Sequence, residues 1–271
     1  MRIAQISDCH VTAPGELVAD RIDPTAGLAR AVDHLVALGD EVDVVLATGD
    51  LVNDGRPGEY DRLEALLAPL PQRVVVVPGN HDDRGELRRR FGLPPGGADQ
   101  PIDRVVDLGD VRLVCLDTTT PGRNDGRLTI DQLTWLDTHL AERIDVPAIV
   151  VQHHPPFASG IAAMDRFALD GTDIEADIVR RHRHVAGLLA GHYHRPIARA
   201  VGGTLAFACP STAVQLLGRL GRGPTTYADD PPAYALHELV DDALTTHVVQ
   251  LRDTDEWVPS WAAPPGDVNG A

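Results

Sequence analysis

Five times along this chain a short apolar run stops abruptly at an Asp, Asn or His. "RIAQIS" (Arg2 to Ser7) leads into Asp8-Cys9-His10, and "VDVVLATG" (Val42 to Gly49) into Asp50. "RVVVV" (Arg73 to Val77) is followed by Pro78-Gly79 and then Asn80-His81-Asp82. "PAIVVQ" (Pro147 to Gln152) meets His153-His154, and "HVAGLLAG" (His184 to Gly191) meets His192-Tyr193-His194. Aliphatic runs of this kind mark strands buried on both faces, as in parallel sheets covered by helices. Groups as polar as Asp and His are expensive to desolvate alone. The pattern therefore calls for parallel strands that deliver their polar ends to one place, as doubly wound sheets do outside their carboxyl ends.

The segments between the runs supply the helices. Asp23-Pro24 pairs an N-cap with Pro at the first helical position, and Gly39 stops that helix. Pro57 to Ala68 reads as a second helix, and a short basic helix lies around Glu86 to Arg90. The first third is thus βαβαβ, with parallel pairing. Further on, Leu108-Gly109-Asp110, Gly202-Gly203 and Asp241-Asp242 signal hairpins. Thr129 and Gln132 form a capping box that opens another helix. Two sheets packed face to face, with helices outside, are expected in one unit over residues 1–252. Residues 253–271 are rich in Pro and Gly and read as a tail.

Composition narrows the partners. Of the 271 residues 43% are hydrophobic and 24% charged, the balance of a folded domain. No apolar run approaches the roughly 20 residues of a membrane helix, so no membrane partner is expected. The first residues lack the apolar region of a secretion signal. Cys9, Cys115 and Cys209 are odd in number and form no C-x-x-C pair, which points to free thiols in the cytoplasm. A formal net charge of −16 repels polyanions, so duplex nucleic acid is not expected as a partner. A small phosphate ester would be drawn in only where bound cations reverse the local field.

The polar clusters offer such cations a place. In extended backbone, residues i and i+2 project to the same side, which pairs Asp8 with His10 and His192 with His194. Carboxylates, an amide oxygen and imidazoles, with no thiolate required, suit Mn, Fe, Zn or Co. The seven donors Asp8, His10, Asp50, Asn80, His153, His192 and His194 are too many for one ion and suit two, with Asp50 as the natural bridge.

The order DxH, GD, GNH, HH and GHxH from Asp8 to His194 resembles the calcineurin-like metallophosphoesterase superfamily. "GDLVNDGRPGEY", "PGNHDD", "QHHPPF" and "CPSTAVQL" resemble its bacterial cyclic nucleotide phosphodiesterase and glycerophosphodiesterase branch. The resemblance implies a four-layer α/β/β/α sandwich of two mixed sheets. It also implies two divalent or trivalent transition-metal ions (Mn, Fe, Zn or Co) and hydrolysis of small phosphodiesters by a metal-activated hydroxide. Carried over, one ion would take Asp8, His10, Asp50 and His194, and the other Asp50, Asn80, His153 and His192. Asp50 and His81 would be the catalytic residues, with His81 touching the phosphate or the departing oxygen. Relatives often carry an Asp where this chain has Asn53, to orient that histidine. His81 is therefore expected to act as a hydrogen-bond donor rather than a strong general acid.

The implied substrates are 3′,5′-cyclic nucleotides such as cyclic AMP, or a broad range of small diesters, with glycerophosphodiesters as the alternative. A metal-loaded nucleotide sensor without turnover is the reading from another class. Self-association is an expectation by analogy. His154 is expected behind the ligands, and "RRHRH" (Arg180 to His184) at a helix C-terminus, where cations suit the dipole. Phe157 to Asp173 is expected to wall the substrate, with no base-stacking aromatic legible in it.

Overall fold

Alternation along the central strands sorts side chains into two cores at once. A computed structural model describes residues 1–252 apart from 19, 222 and 225, together with 257 and 259. The elements run β1 (Arg2–Ile6), α1 (Pro24–Leu38), β2 (Val44–Thr48), α2 (Pro57–Leu67), β3 (Arg73–Val77) and α3 (Arg84–Phe91). They continue with β4 (Arg104–Asp107), β5 (Arg112–Cys115), β6 (Gly126–Arg127), α4 (Ile130–Ala141), β7 (Ala148–Val151), β8 (Leu169–Asp170) and α5 (Thr172–Arg181). Then come β9 (Val185–Ala190), β10 (Ile197–Val201), β11 (Thr204–Ala208), β12 (Gln215–Leu216), β13 (Tyr227–Ala228), β14 (Ala233–Val240) and β15 (Ala243–Gln250).

Two mixed sheets form. One has the order β15-β14-β1-β2-β3, the other β10-β11-β9-β7-β5-β4. Strands β1, β2 and β3 are parallel to one another, as the βαβαβ reading requires, and β14 closes antiparallel on β1. In the second sheet β5, β7, β9 and β11 are parallel, with antiparallel β4 and β10 at the edges. Within β2, Val45 and Ala47 face α1, α2 and α3, while Val44 and Leu46 face the other sheet. Within β7, Val150 packs with α4 and α5, while Ile149 and Val151 meet the first sheet. Three cores separating four layers follow from this period of two, giving the expected α/β/β/α sandwich.

Local chemistry sets the boundaries. Asp23 accepts the backbone N–H of Thr25 at 3.0 Å ahead of Pro24, and Gly39 ends α1 at φ 50°. Thr129 and Gln132 exchange both bonds of their capping box at 3.2 Å. Asp83 caps α3 by accepting from Glu86 N at 2.8 Å, so the second Asp of "GNHDD" starts a helix. Asp241 and Asp242, at φ 49° and 62°, turn β14 into β15. The 253–271 tail lies outside the described residues, apart from 257 and 259. Among the described residues no helix is long and apolar enough to cross a membrane.

Candidate metal centre

The five polar clusters converge where β1, β2, β3, β7 and β9 end. Their exit loops are zipped together: Asp8 N donates to Gly49 O at 3.0 Å, His10 N to Asp50 O at 2.9 Å, and Gly191 N to His153 O at 2.9 Å. The approach is so close that Cβ atoms are excluded. One on Gly79 would overlap the backbone nitrogen of Asp50, and one on Gly49 (φ 87°) would strike the His153 ring and the Gly79 backbone.

The route to convergence differs from the expected one. Asp8, His10, His192 and His194 are not extended; their φ angles are 52°, 44°, 69° and 49°, and Asp50 joins them at 49°. The strands stop at Ile6 and Ala190, so the side chains are aimed by left-handed turns rather than by the pleat. Among the described residues only three other non-glycines, Asp20, Asp241 and Asp242, have positive φ. This backbone is concentrated at the donors.

The donors fall into two groups. One ligand atom from each of Asp8, His10, Asp50 and His194 lies within 4.8 Å of the others. Nε2 of His10 is 3.1 Å from Nε2 of His194 and 3.7 Å from Asp50 Oδ2, and His194 Nε2 is 3.5 Å from Asp8 Oδ1. Atoms bound at about 2.1 Å to a common ion are spaced by roughly 3–4 Å. On the other side of Asp50, His153 Nε2 lies 3.4 Å from Asp50 Oδ2 and 3.2 Å from Asn80 Oδ1. The His192 ring stands 5.1 Å from the His153 ring. Asp50 borders both groups.

Backbone carbonyls fix which nitrogen each imidazole offers. A carbonyl only accepts, so the nitrogen beside it carries the proton and the other keeps its lone pair. His153 gives Nδ1–H to Thr48 O at 2.8 Å and His194 gives Nδ1–H to Val214 O at 2.9 Å, which turns Nε2 toward the carboxylates in each. His192 gives Nε2–H to Phe167 O at 3.1 Å, leaving Nδ1. His154 is engaged at both nitrogens, with Thr118 Oγ1 at 2.8 Å and Asn124 O at 3.2 Å, although one of those nitrogens also lies within 4.8 Å of a ring nitrogen of His153 and of His192. His81 gives Nδ1–H to Asn53 O at 2.6 Å. The anchor of His81 is thus the backbone of Asn53, while the Asn53 amide turns away to Asp54.

The charges suit cations. Burial pushes His10 and His192 well below the usual imidazole range, so both are neutral donors. Burial would raise Asp50, but His153, His81 and His10 outweigh it and hold the carboxylate ionised. Burial lowers the pKa of His153, and Asp50 and Asp8 more than reverse this, lifting it to about 9. Burial raises Asp8 against the pull of His194 and His153, the mark of an acid short of positive charge. His10 Nδ1 is buried without a partner. The donor set fits a pair of metal ions.

Asp82, named in its cluster but given no role by the sequence, braces the site. It accepts from Leu51 N, Val52 N and Gly79 N and from the Tyr60 hydroxyl, tying the loop after β2 to the loop after β3. Its only sequence signal is its place next to His81. Cys9 is buried, and burial lifts its thiol to about 12, which leaves it unreactive. All three cysteines are free and buried.

Above the donors lies a cavity of about 300 Å³. His10, Asp50, Asn80, His192, His194 and His81 form its floor, and Asn53 and Asn124 lie at its sides. Its apolar wall comes from Val18, Met164, Phe167, Val214 and Tyr227. Met164 and Phe167 lie in the expected Phe157–Asp173 segment. The expectation of no stacking aromatic is corrected: Phe167 faces the cavity from that segment, and Tyr227 joins it from 60 residues further on. No Arg is among the described lining residues. Arg56, the nearest candidate in sequence, is held by Glu16, Asp54 and Glu59. In the "RRHRH" stretch, Arg180 pairs with Asp177, and Arg181 and His182 pair with Asp137.

Known proteins share this plan. The chain is 30% identical to a cAMP/cGMP dual specificity phosphodiesterase of Mycobacterium tuberculosis, over 89% of this chain and 86% of the relative. It is 33% identical to a glycerophosphodiester phosphodiesterase of Enterobacter lignolyticus, over 72% of this chain and 71% of that one. A dimetal phosphatase from Danio rerio superimposes with a TM-score of 0.70 at 17% identity, covering 93% of this chain and 96% of its own. The calcineurin-like phosphoesterase model matches residues 1–196, and with the strand-end donors in their full order, the chain belongs to that family.

Proposed function

We propose that the chain hydrolyses small phosphodiesters at two metal ions, with 3′,5′-cyclic nucleotides such as cyclic AMP as the preferred substrates. Asp8, His10, Asp50 and His194 would hold one ion, and Asp50, Asn80, His153 and His192 the other, drawn from Mn, Fe, Zn or Co. Such a pair supplies Lewis acidity at the phosphoryl oxygens and an activated water. The chain's own residues do the rest. Asp50 stays ionised between the two groups and receives His81 N at 2.9 Å, which sets the loop that carries His81. With Nδ1–H committed to Asn53 O, His81 turns Nε2 toward the substrate site, where it can donate to a phosphoryl or leaving oxygen only once that nitrogen also carries a proton. The Phe167 and Val214 carbonyls keep His192 and His194 in ligand-competent tautomers.

The observation that carries this reading is the floor of donors in a cavity with no guanidinium. A phosphomonoester brings a charge of about −1.5 to −2 at neutral pH, a diester only −1. Because Arg56 is bound by three carboxylates, the diester is the better match. The second reading, a glycerophosphodiesterase, is favoured by the likeness to the Enterobacter enzyme. Buried free thiols support a reducing, cytoplasmic setting. The β14–β15 hairpin, which completes the first sheet, supports 1–252 as the catalytic unit. A panel of cyclic AMP, glycerophosphocholine, bis(p-nitrophenyl) phosphate and p-nitrophenyl phosphate, with and without Mn²⁺, tests the reading. Diester turnover should need metal and exceed monoester turnover about tenfold or more. Metal-loaded protein that cleaves none of them would be a sensor.

A further inference from the structure

We propose that Tyr227 and Phe167 form a platform on which the base of a nucleotide substrate stacks, and that they select ring-bearing diesters over glycerol-based ones. The inference rests on the phosphodiesterase reading above and names the determinant of its specificity.

Three observations carry it. First, the cavity has two unlike surfaces: a donor floor for the phosphate, and a wall of Val18, Met164, Phe167, Val214 and Tyr227. None of these wall residues is charged. Away from the floor the polar lining residues are Asn53, whose side-chain Nδ2 is held by Asp54, and Asn124, whose amide can donate and accept as a base edge or ribose hydroxyl requires. Second, Tyr227 is 47% exposed although β13 pairs with β12, so its ring is held by the backbone while a face remains open. It stands 6.2 Å from the His194 ring, directly beside the proposed ions. Arg166 lies over the Phe167 ring at 5.6 Å.

Third, both aromatic segments are bolted to metal-donor histidines. Phe167 accepts from His192 through its own carbonyl, and the residue before β12, Val214, accepts from His194. The wall is therefore tied to the phosphate floor by one hydrogen bond on the Phe167 side, and through Val214 and the β12–β13 pair on the Tyr227 side. A volume of about 300 Å³ lies at the small end of ligand cavities and suits one nucleotide rather than a polymer.

The test compares wild type with Tyr227→Ala, Tyr227→Phe and Phe167→Ala, on cyclic AMP and on glycerophosphoglycerol, a diester without a ring. Base–aromatic stacking predicts a loss of roughly 5- to 150-fold in kcat/KM for cyclic AMP in Tyr227→Ala. The loss for glycerophosphoglycerol should be at least about fivefold smaller, and Tyr227→Phe should retain the cyclic AMP preference. Calorimetry on Mn²⁺-loaded protein gives a readout independent of turnover. Wild type should bind 5′-AMP several-fold tighter than ribose 5-phosphate, and Tyr227→Ala should erase that margin. Equal losses on both diesters, or an AMP margin unchanged in the variant, would overturn the platform. If Phe167→Ala does not fold, the half-exposed Tyr227 decides alone. A wild type that turns over neither diester would count against the phosphodiesterase reading, and the binding series would still decide the platform.

Discussion

The two sheets contribute unlike halves to the centre. The sheet containing β1, β2 and β3 presents Asp8, His10, Asp50, Asn80 and His81, and so brings all the carboxylate charge. The sheet containing β7 and β9 presents His153, His154, His192 and His194, only imidazoles. Each proposed ion would draw donors from both halves, so neither sheet makes a site by itself. The contacts across the seam, His153 with Asp50 and His194 with Asp8, already set an imidazole nitrogen of one half against a carboxylate oxygen of the other. The difference teaches that ions bound there would cross-link the sheets as well as serve as reagents.

The comparison breaks most sharply at Asp50, the one donor that both groups share. Asp50→Ala should lower diester turnover by about 10⁴-fold, with Asp50→Asn as the variant able to keep the bond from His81 N. A steady-state assay showing a tenth of wild-type activity would end the bridging role. His81 belongs to the carboxylate half but to neither ion. His81→Gln should cost about 10²- to 10⁴-fold in kcat while elemental analysis finds both metals retained. Metal lost in step with activity would make it a ligand instead.

If ions link the halves, removing them should loosen the seam. Thermal unfolding in a chelator should begin several degrees below that in Mn²⁺, since ligand at about 100 times its Kd contributes about 2.7 kcal/mol. Identical melting curves would reduce the ions to reagents. The smallest effect probes the scaffold of the imidazole half. Glu175 on α5 is buried, and no group meets its carboxyl oxygens or Gln152 Oε1 in good hydrogen-bond geometry, the Gln152 amide being the polar neighbour of the carboxyl. Gln152 Nε2 in turn holds His154 O at 2.8 Å. Burial lifts Glu175 to about 8 against the opposing Gln152 amide. Its folded-state pKa lies above the unfolded value, so its contribution is intact below about pH 4.5 and is lost as pH rises through 8. Glu175→Gln should therefore gain on wild type by roughly 3 kcal/mol between pH 5 and pH 8 in denaturant titrations. Parallel pH profiles for the two proteins would remove Glu175 from the account.

Much of this was legible because strands and donors are local in sequence. Arg73–Val77 is bounded as its β-branched run suggests, and Asp23-Pro24 and Thr129/Gln132 cap the helices they announce. The donor clusters were readable because each follows its strand within a few residues. Two things were not. The left-handed backbone of Asp8, His10, His192 and His194 has no marker in residue type, since it is imposed by the crossing loops. The cavity wall draws on Val18, Phe167, Val214 and Tyr227, more than 200 residues apart at the extremes, and no periodicity links them. Nor could composition reveal that Arg56 would be captured by three acids.

The left-handed donors also bear on how such a chain would drift. A non-glycine residue in that region costs about 1 kcal/mol, less for Asp, so five of them hold back a sizeable part of a net stability of roughly 5–15 kcal/mol. Glycine at His10, His192 or His194 would relax the backbone and silence the site, whereas at Asp8 or Asp50 it would also strip the acceptor from His192 N or His81 N. A lineage released from selection for hydrolysis should therefore turn the three histidines to glycine early, so their persistence in any descendant would be a sign that the chemistry is still in use.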